Sequence, residues 1–197
     1  VVVDFTPEPL TQDVSFVFHI EKTADVVVDS LTAEISGIPS TMELTTGLIL
    51  AQKTYKLLFR PTYAALPSAA DSASAETLRC EASVNIPGIV RSHTEDMVTG
   101  PGILQIAIYT HYDYEEEGTQ RKAAKVFHAG INLYHTLKER KSLQWDEEEN
   151  GYRQASRSIT VEIGSPLNID KDGILNGGST STGLDQWIPG ETFEIEV

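Results

Sequence analysis

The chain has 197 residues, enough to bury a hydrophobic core as one large all-β domain or as two smaller domains, and we expect one. Its 29 acidic and 15 basic residues give a formal net charge of −14 at pH 7. Because binding to nucleic acid or to an anionic membrane surface needs a basic face, this charge argues against both partners. A surface kept soluble by charge repulsion is the preferred interpretation of the acidity, and recognition of a cationic ligand is the alternative.

The strongest pattern is an alternation of apolar and polar residues near the N-terminus. Residues 14–20 alternate with Val17 as the exception, and residues 26–35 resume the alternation after a polar break. A period of two indicates half-buried β-strands. We expect the second strand to end at Gly37 and Pro39.

Similar patterns predict further strands along the rest of the chain, at residues 42–49, 54–59, 77–86, 103–112, 124–133, 157–163 and 192–197. Turn-forming pairs separate the strands, including Arg60-Pro61, Pro87-Gly88, Asn150-Gly151 and Pro189-Gly190. About nine short strands with such turns predict an all-β fold, an antiparallel β-sandwich with few or no helices. Residues 133–141 fit a strand or a helix equally well.

Two segments that are poor in bulky apolar residues, 66–76 and 176–183, are predicted to be surface loops. Cys80 is the only cysteine, so no intrachain disulfide can form, and the alternation around it predicts a buried side chain. The sequence contains no nucleophile elbow, zinc-protease motif or phosphate-binding glycine loop. We therefore expect a protein that is not an enzyme, with no catalytic residues and no cofactor or metal site.

Residues 168–173 resemble the first half of a calcium-binding loop. Asn168, Asp170 and Asp172 supply oxygen atoms at alternate positions, and Gly173 follows. The second half departs from the pattern, because Ser179 stands where a bidentate Glu is needed. The alternatives are a calcium site and, as we prefer, a polar turn closed by Asx side chains.

Histidines and aromatic residues suggest two other kinds of site. His111 and Asp113, with His128 or His135, could form a two-histidine, one-carboxylate iron site, although residues 114–118 have the composition of an exposed hairpin tip. Aromatic residues in the second half of the chain could form a platform for sugar stacking or could close the ends of the core: Tyr109, Tyr112, Tyr114, Trp145, Tyr152 and Trp187. The acidic runs 115–117 and 146–149 are predicted to be solvated loops.

Both ends of the chain carry apolar segments with high β-propensity. At the N-terminus, the apolar residues Val1, Val2, Val3 and Phe5 are separated from the first strand by a proline-containing segment. At the other end, Phe193, Ile195 and Val197 would share one face of a terminal strand. These residues are our candidates for strand exchange between subunits, and the alternative is that each terminal segment completes its own sandwich.

Several of these segments resemble Bacteroidales fimbrillin-like proteins. The strands of residues 14–35, which lead into LTAEISGI at 31–38 and are followed by TTG at 45–47, look like the start of the second domain of such proteins. The segments GILQIAIYT at 102–110 and ITVEI at 159–163, and the tail at 185–197, follow in the order that the family uses. The resemblance covers most of the chain, as β-sandwich patterns and not as a specific motif.

The resemblance implies a transthyretin-like, Greek-key sandwich that acts by assembly and adhesion. The expected partners are other fimbrial or cell-envelope subunits and, in addition, a host or bacterial surface ligand. The implied location is the cell surface or outer membrane, reached through the periplasm, with membrane contact only through a lipid anchor outside this chain. We expect residues 1–197 to be one sandwich domain, the C-terminal domain or a processed part of a longer exported protein. A secreted carbohydrate-binding sandwich and a metal-dependent jelly-roll enzyme are the alternatives.

Overall fold

A computed structural model describes residues 10–44, 49–67, 75–88, 102–133, 143–146, 151–154, 157–175 and 187–195, with the backbone alone described at 49–52, 143–146, 151–154 and 195. The regular structure in these ranges is all β-strand. The strands, in chain order, are β1 (Gln12–Thr23), β2 (Val26–Met42), β3 (Ile49–Phe59), β4 (Thr62–Ala65), β5 (Ala75–Ile86), β6 (Ile103–Glu116), β7 (Thr119–Asn132), β8 (Leu143–Asp146), β9 (Gly151–Gln154), β10 (Ser158–Glu162), β11 (Leu167–Ile169) and β12 (Ile188–Ile195).

The strands form two sheets that pack face to face. The five-stranded sheet has the order β10-β1-β5-β4, with β11 also paired to β1. The seven-stranded sheet has the order β12-β7-β6-β2-β3-β9-β8. Neighbouring strands are antiparallel except that β1 pairs in parallel with β10 and β11. The predicted all-β, antiparallel β-sandwich is confirmed.

The core lies between the two sheets and follows the predicted alternation. Val14, Phe16, Phe18 and Ile20 of β1 are each at most 1% exposed. Phe16 stacks on Phe59 of β3 with 5.8 Å between the ring centroids, which joins the two sheets. Inward-facing residues of both sheets belong to one hydrophobic cluster, so burial of apolar area between the layers is the main source of stability.

The strand β2 is longer than the sequence pattern predicted. The expectation that Gly37 and Pro39 end it is wrong, because pairing with β3 continues to Met42 and includes Pro39 opposite Thr54. Gly37 has a φ of 80°, and the register with β3 shifts between Ile35 and Ile38. Glycine adopts this left-handed conformation without the steric strain of other residues, which allows a bulge at this position. The strand therefore bends at Gly37 and continues.

Several other strand predictions also need correction. The strand predicted at 42–49 is described only in part: Met42 ends β2, Glu43 and Leu44 belong to no strand, Ile49 begins β3, and residues 45–48 lie outside the described ranges. The pair Pro189-Gly190, predicted to be a turn, lies inside β12. The short strands β4, β8, β9 and β11 were not predicted, because runs of three or four residues are too short to show a period. Residues 134–141 and 176–183, on which two predictions fall, lie outside the described ranges.

The strands β6 and β7 form a long hairpin with a projecting tip. The two strands pair throughout their length, but the last residue of β6 that pairs with β2 is Tyr112. Glu117 and Gly118 form the turn with φ values of 51° and 76°, and the residues around them are exposed. The predicted exposed hairpin tip is therefore confirmed.

Candidate functional site

The strand β12 lies at one edge of the seven-stranded sheet. It pairs antiparallel with β7, from Ile188 opposite Gly130 to Ile195 opposite Ala124. Within the described ranges, no strand pairs with its other side. A strand paired on one side presents a row of backbone donors and acceptors that a further strand can use. The predicted terminal strand therefore lies at a position where strand addition is geometrically possible.

A bulge interrupts β12 between Pro189 and Thr192, where the register with β7 shifts. Gly190 lies in this bulge and directly over β7: a Cβ atom added to it would stand 2.9 Å from the Cβ of His128. Such a contact is too short for any residue with a side chain unless the backbone moves. Gly190 is therefore needed for the close approach of the two strands, and not for a turn.

A groove of about 250 Å³ opens beside the bulge on the outer face of the sheet, and we call it the β12 groove. Its lining includes Gln105, His128, Gly130, Gly190, Glu191 and Phe193. The rings of His128 and Phe193 meet edge to face, with centroids 5.6 Å apart and planes at 89°. Two glycines, two rings, one carboxamide and one carboxylate thus surround a space at the sheet edge.

An apolar strip crosses the outer face next to the β12 groove. Phe193, Val126 and Tyr109 occupy one row across β12, β7 and β6. Val126 is only 6% exposed although it does not belong to the core cluster between the sheets, whereas Phe193 is 51% exposed. Because successive residues of a strand point to opposite faces, this row lies on the face opposite Phe127 of the core. The edge strand therefore carries exposed apolar surface on the side that faces away from the core.

On the inner face, Lys125 of β7 is a buried cation with several partners. Its Nζ donates to the Lys171 carbonyl at 2.8 Å, lies 3.2 Å from a Glu194 carboxylate oxygen and stands 5.5 Å from the centre of the Tyr112 ring. Burial lowers the pKa of Lys125, but the hydrogen bond and charge of Glu194, together with Tyr112, outweigh burial and raise the pKa above its ordinary value. The charged lysine thus ties β7 to β12 and to the turn after β11.

The candidates for strand exchange are placed only in part. Phe193 lies in β12 with its ring on the outer face, and the backbone of Ile195 pairs with Ala124. The remaining candidates lie outside the described residues: Val1, Val2, Val3, Phe5 and Val197. Strand exchange through either end of the chain therefore stays a prediction.

The segment that resembles half of a calcium loop forms a hydrogen-bonded turn. A single carboxylate oxygen of Asp170 accepts the backbone N–H groups of Asp172 and Gly173 at 2.7 and 2.8 Å. The backbone N–H of Asp170 donates a hydrogen bond to the Gly173 carbonyl, and the Lys125 ammonium donates one to the Lys171 carbonyl. These contacts agree with the polar turn closed by Asx side chains, while Asn168 lies before it in β11.

The described histidines do not converge on one site. His111 pairs with Asp29, with 2.8 Å between Nδ1 and Oδ1. His128 lies opposite Ala107, four residues along β6 from His111, a separation of about 13 Å along the strand. Among the described residues, no group of three histidine, cysteine or acidic side chains could hold a metal ion. Asp113 lies in the projecting part of the hairpin opposite Lys122, and His135 lies outside the described ranges.

The candidate aromatic platform is divided among three places. Trp187 is 3% exposed, packs edge to face on Phe18 at 5.6 Å and donates from Nε1 to the Ser165 carbonyl, so it closes the core as the sequence suggested. Tyr109 lies in the outer apolar strip. Tyr112 and Tyr114 neighbour each other near the hairpin tip, with ring centroids 6.2 Å apart. The side chains of Trp145 and Tyr152 are not described, and the others do not form a single stacking surface.

Cys80 lies in β5 with no exposed surface, as predicted. Burial raises the pKa of its thiol to about 12. Because the thiolate is the reactive form, the side chain is chemically inert in the folded protein.

Sequence reasoning missed most of the β12 groove. Of its lining, Phe193, His128 and Gly190 were considered, and His128 and Gly190 were considered for other roles. Gln105, Gly130 and Glu191 come from the β6–β7 hairpin and from β12, which are far apart in the chain. The one available signal was Pro189-Gly190 next to a terminal strand, and a bulge and a turn have the same composition.

No protein-family model, no curated protein and no solved structure matches this chain. No helix that is long and apolar enough to cross a bilayer occurs in the described ranges.

Proposed function

We propose that this protein is a non-catalytic subunit of a cell-surface fimbria or adhesion assembly, of the fimbrillin-like type, and that it acts by strand contacts with other subunits. One observation carries the proposal. The strand β12 pairs on one side with β7, while no described strand covers its other side. A strand added to such an edge gains backbone hydrogen bonds and side-chain contacts together.

The charge and the face of the edge strand support the same proposal. A net charge of −14 keeps copies of the chain apart at most orientations, so association needs a surface that offsets the repulsion. The exposed ring of Phe193 provides apolar area at the edge, and Tyr109 extends the same row two strands further into the sheet. Contact along β12 would therefore combine directional hydrogen bonds with burial of an existing apolar strip.

Site-specific cross-linking of purified protein and of intact producing cells tests this proposal. Thr192→Cys places a thiol on β12, and Thr119→Cys places an equally exposed thiol at the hairpin tip as a matched control. Cys80 does not interfere, because it is buried and its thiol pKa is raised. We expect a thiol-directed cross-linker to join subunits through residue 192 and not through residue 119, on the outside of the cell. Absence of a 192-specific product in both preparations would contradict the proposal.

Truncations test which end of the chain takes part. Removal of residues 1–9 and, separately, of residues 192–197 should change the oligomeric state or the co-assembly of the protein with its envelope partners. Circular dichroism and thermal melting of each truncated chain show whether the sandwich still forms. If both truncated chains fold and assemble as the full chain does, strand exchange through the termini is wrong.

A further inference from the structure

We propose that the β12 groove binds an arginine side chain carried by the strand that adds to β12. The inference rests on the proposed function, because it names the side chain that a strand at this edge would present. A groove of about 250 Å³ is smaller than the roughly 300–1,000 Å³ of sites for whole small molecules. Its size therefore suits one long side chain of a partner.

The charge at the groove favours a cation. Glu191 is the one acidic residue in the lining, and within the part of the chain that the structure describes its carboxylate forms no ion pair. Gln105 also lines the groove and adds a polar side chain beside this carboxylate. The whole molecule carries an excess of 14 negative charges, which attracts a basic partner from a distance.

The aromatic rings favour a guanidinium over an ammonium group. A guanidinium is planar, is weakly hydrated, stacks on aromatic faces and pairs with a carboxylate through two parallel hydrogen bonds. The perpendicular rings of Phe193 and His128 both line the groove, and Phe193 lies two residues after Glu191 in β12. The methylene stem of an arginine would lie along Ile188, which also lines the groove.

The position of the groove fits a side chain from a neighbouring strand. The bulge between Pro189 and Thr192 lies in the edge strand itself, and the groove extends from β12 over β7 and β6, so an outward side chain of an added strand would enter it by crossing β12. Side chains of an added strand alternate between the two faces of the sheet, and those on the outer face would pass the Phe193 ring. One basic residue on that face would extend across β12 into the groove, and a neighbour on the same face would lie beside Phe193, at the edge of the apolar strip.

Calorimetric titration with four synthetic probes tests the inference. The first is a blocked seven-residue peptide of alternating Thr and Val with a central arginine, and two others replace that arginine by citrulline, its neutral isostere, or by lysine. The fourth is free N-acetylarginine amide. The amide NMR signals of β12 and β7 report where each probe binds. We expect the arginine peptide to bind at least about tenfold more tightly than the citrulline peptide and more tightly than the lysine peptide and the free amide.

Two variants with a matched control locate the effect. Glu191→Gln should remove the preference for arginine over citrulline, whereas Glu162→Gln, the same change at an exposed position of β10 in the other sheet, should leave it unchanged. Phe193→Leu keeps an apolar side chain but removes the ring, and should remove the preference for arginine over lysine.

Four results would overturn the inference. They are equal binding of the arginine and citrulline peptides, an effect of Glu162→Gln as large as that of Glu191→Gln, tighter binding of the free amide than of the arginine peptide, and absence of binding by all peptides. Cross-linking through residue 192 is measured independently of peptide binding. The proposed strand contact therefore stands if cross-linking succeeds and the arginine preference fails, and a failure of cross-linking is seen as a separate result.

Discussion

The strands β1 and β12 differ in pairing and in burial, because β1 lies inside one sheet and β12 lies at the edge of the other. β1 pairs on both sides, with β5 and with the β10 and β11 strands, and its inward residues are buried completely. β12 pairs with β7 alone in the described structure, contains a bulge and exposes half of the Phe193 side chain. Because local stability follows buried apolar contacts and strand pairing, β1 should be among the last elements to open and β12 among the first.

The difference separates the residues that stabilise this fold from the residues that are available for partners. Strand contact requires an edge with free backbone groups and some exposed apolar surface, and both features lower the stability of the strand that carries them. A fully paired central strand cannot perform that role. The comparison therefore predicts that substitutions in β1 affect folding and that substitutions in β12 affect association.

The largest contrast is expected for one substitution made in both places. Phe16→Ala removes a fully buried ring that stacks on Phe59 and should lower the free energy of unfolding by about 3–5 kcal/mol. Phe193→Ala removes a half-exposed ring at the edge and should cost less than about 1.5 kcal/mol. Urea denaturation followed by circular dichroism measures both values. Similar losses in the two variants would mean that β12 belongs to the cooperative core.

The free energy of unfolding should also depend on pH through Cys80, which is buried in β5 of the five-stranded sheet. Burial raises the pKa of this thiol from about 9 to about 12. Unfolded chains lose the thiol proton near pH 9 while folded chains keep it, so the stability from this site is complete below pH 9 and falls as the pH rises from 9 to 12. The expected loss is about 1.4 kcal/mol per pH unit in that window.

The variant Cys80→Ala is the control for this prediction, because it keeps the titration of tyrosine and lysine side chains and lacks the thiol. Urea titrations of both proteins between pH 8 and pH 10.5 give the two slopes. The free energy of unfolding should fall more steeply with pH in the natural chain than in Cys80→Ala. Equal slopes would show that the thiol already titrates in the folded protein, and would contradict the closed packing of β1 on β5.

The same contrast explains what the sequence could predict. In β1 and β5 one face is buried and the other is solvated, so the period of two is visible in the residues and the strands were located to within three residues. In β2 the pattern ended at Gly37 and Pro39, but pairing with β3 continued the strand through a bulge. Tertiary pairing decided the outcome there, and a single sequence does not show which strand will be a neighbour.

The groove was beyond such reasoning for a related physical reason. Its residues come from three strands, and they converge only because β12 pairs with β7 in one register with one bulge. A polar residue at an outward position, such as Gln105 or Glu191, has the same local pattern whether it lines a groove or faces open solvent. The buried face of a strand produces an apolar residue at every second position, which is visible in the sequence. Surface residues that converge from different strands produce no such pattern.

Gly190→Ala should loosen the edge without affecting the centre. An added Cβ atom would meet the Cβ of His128 at 2.9 Å, so β12 must shift away from β7 at the bulge. We expect a loss of about 1–2 kcal/mol in overall stability. Hydrogen exchange should accelerate in β12 and remain unchanged in β1. The control Gly173→Ala, at a glycine with no atom within 4 Å of an added Cβ, should change neither. Unchanged exchange in β12 of Gly190→Ala would contradict the close strand approach.

The smallest effects are expected at the tip of the β6–β7 hairpin, which resembles β12 in having few partners. Glu117 and Gly118 both have positive φ values, as a two-residue type I′ turn requires. Glu117→Asn should therefore stabilise the turn by about 0.5 kcal/mol, because asparagine tolerates this conformation better than glutamate does. Gly118→Ala should destabilise the turn by about 1 kcal/mol through backbone strain alone, since no atom lies within 4 Å of an added Cβ.

Hydrogen exchange measures both changes. Beyond Tyr112, β6 pairs with β7 alone among the described strands, so both changes should appear in the hydrogen exchange of the tip and less strongly in global unfolding. Changes of the same sign in the two variants would be incompatible with a type I′ turn at this position.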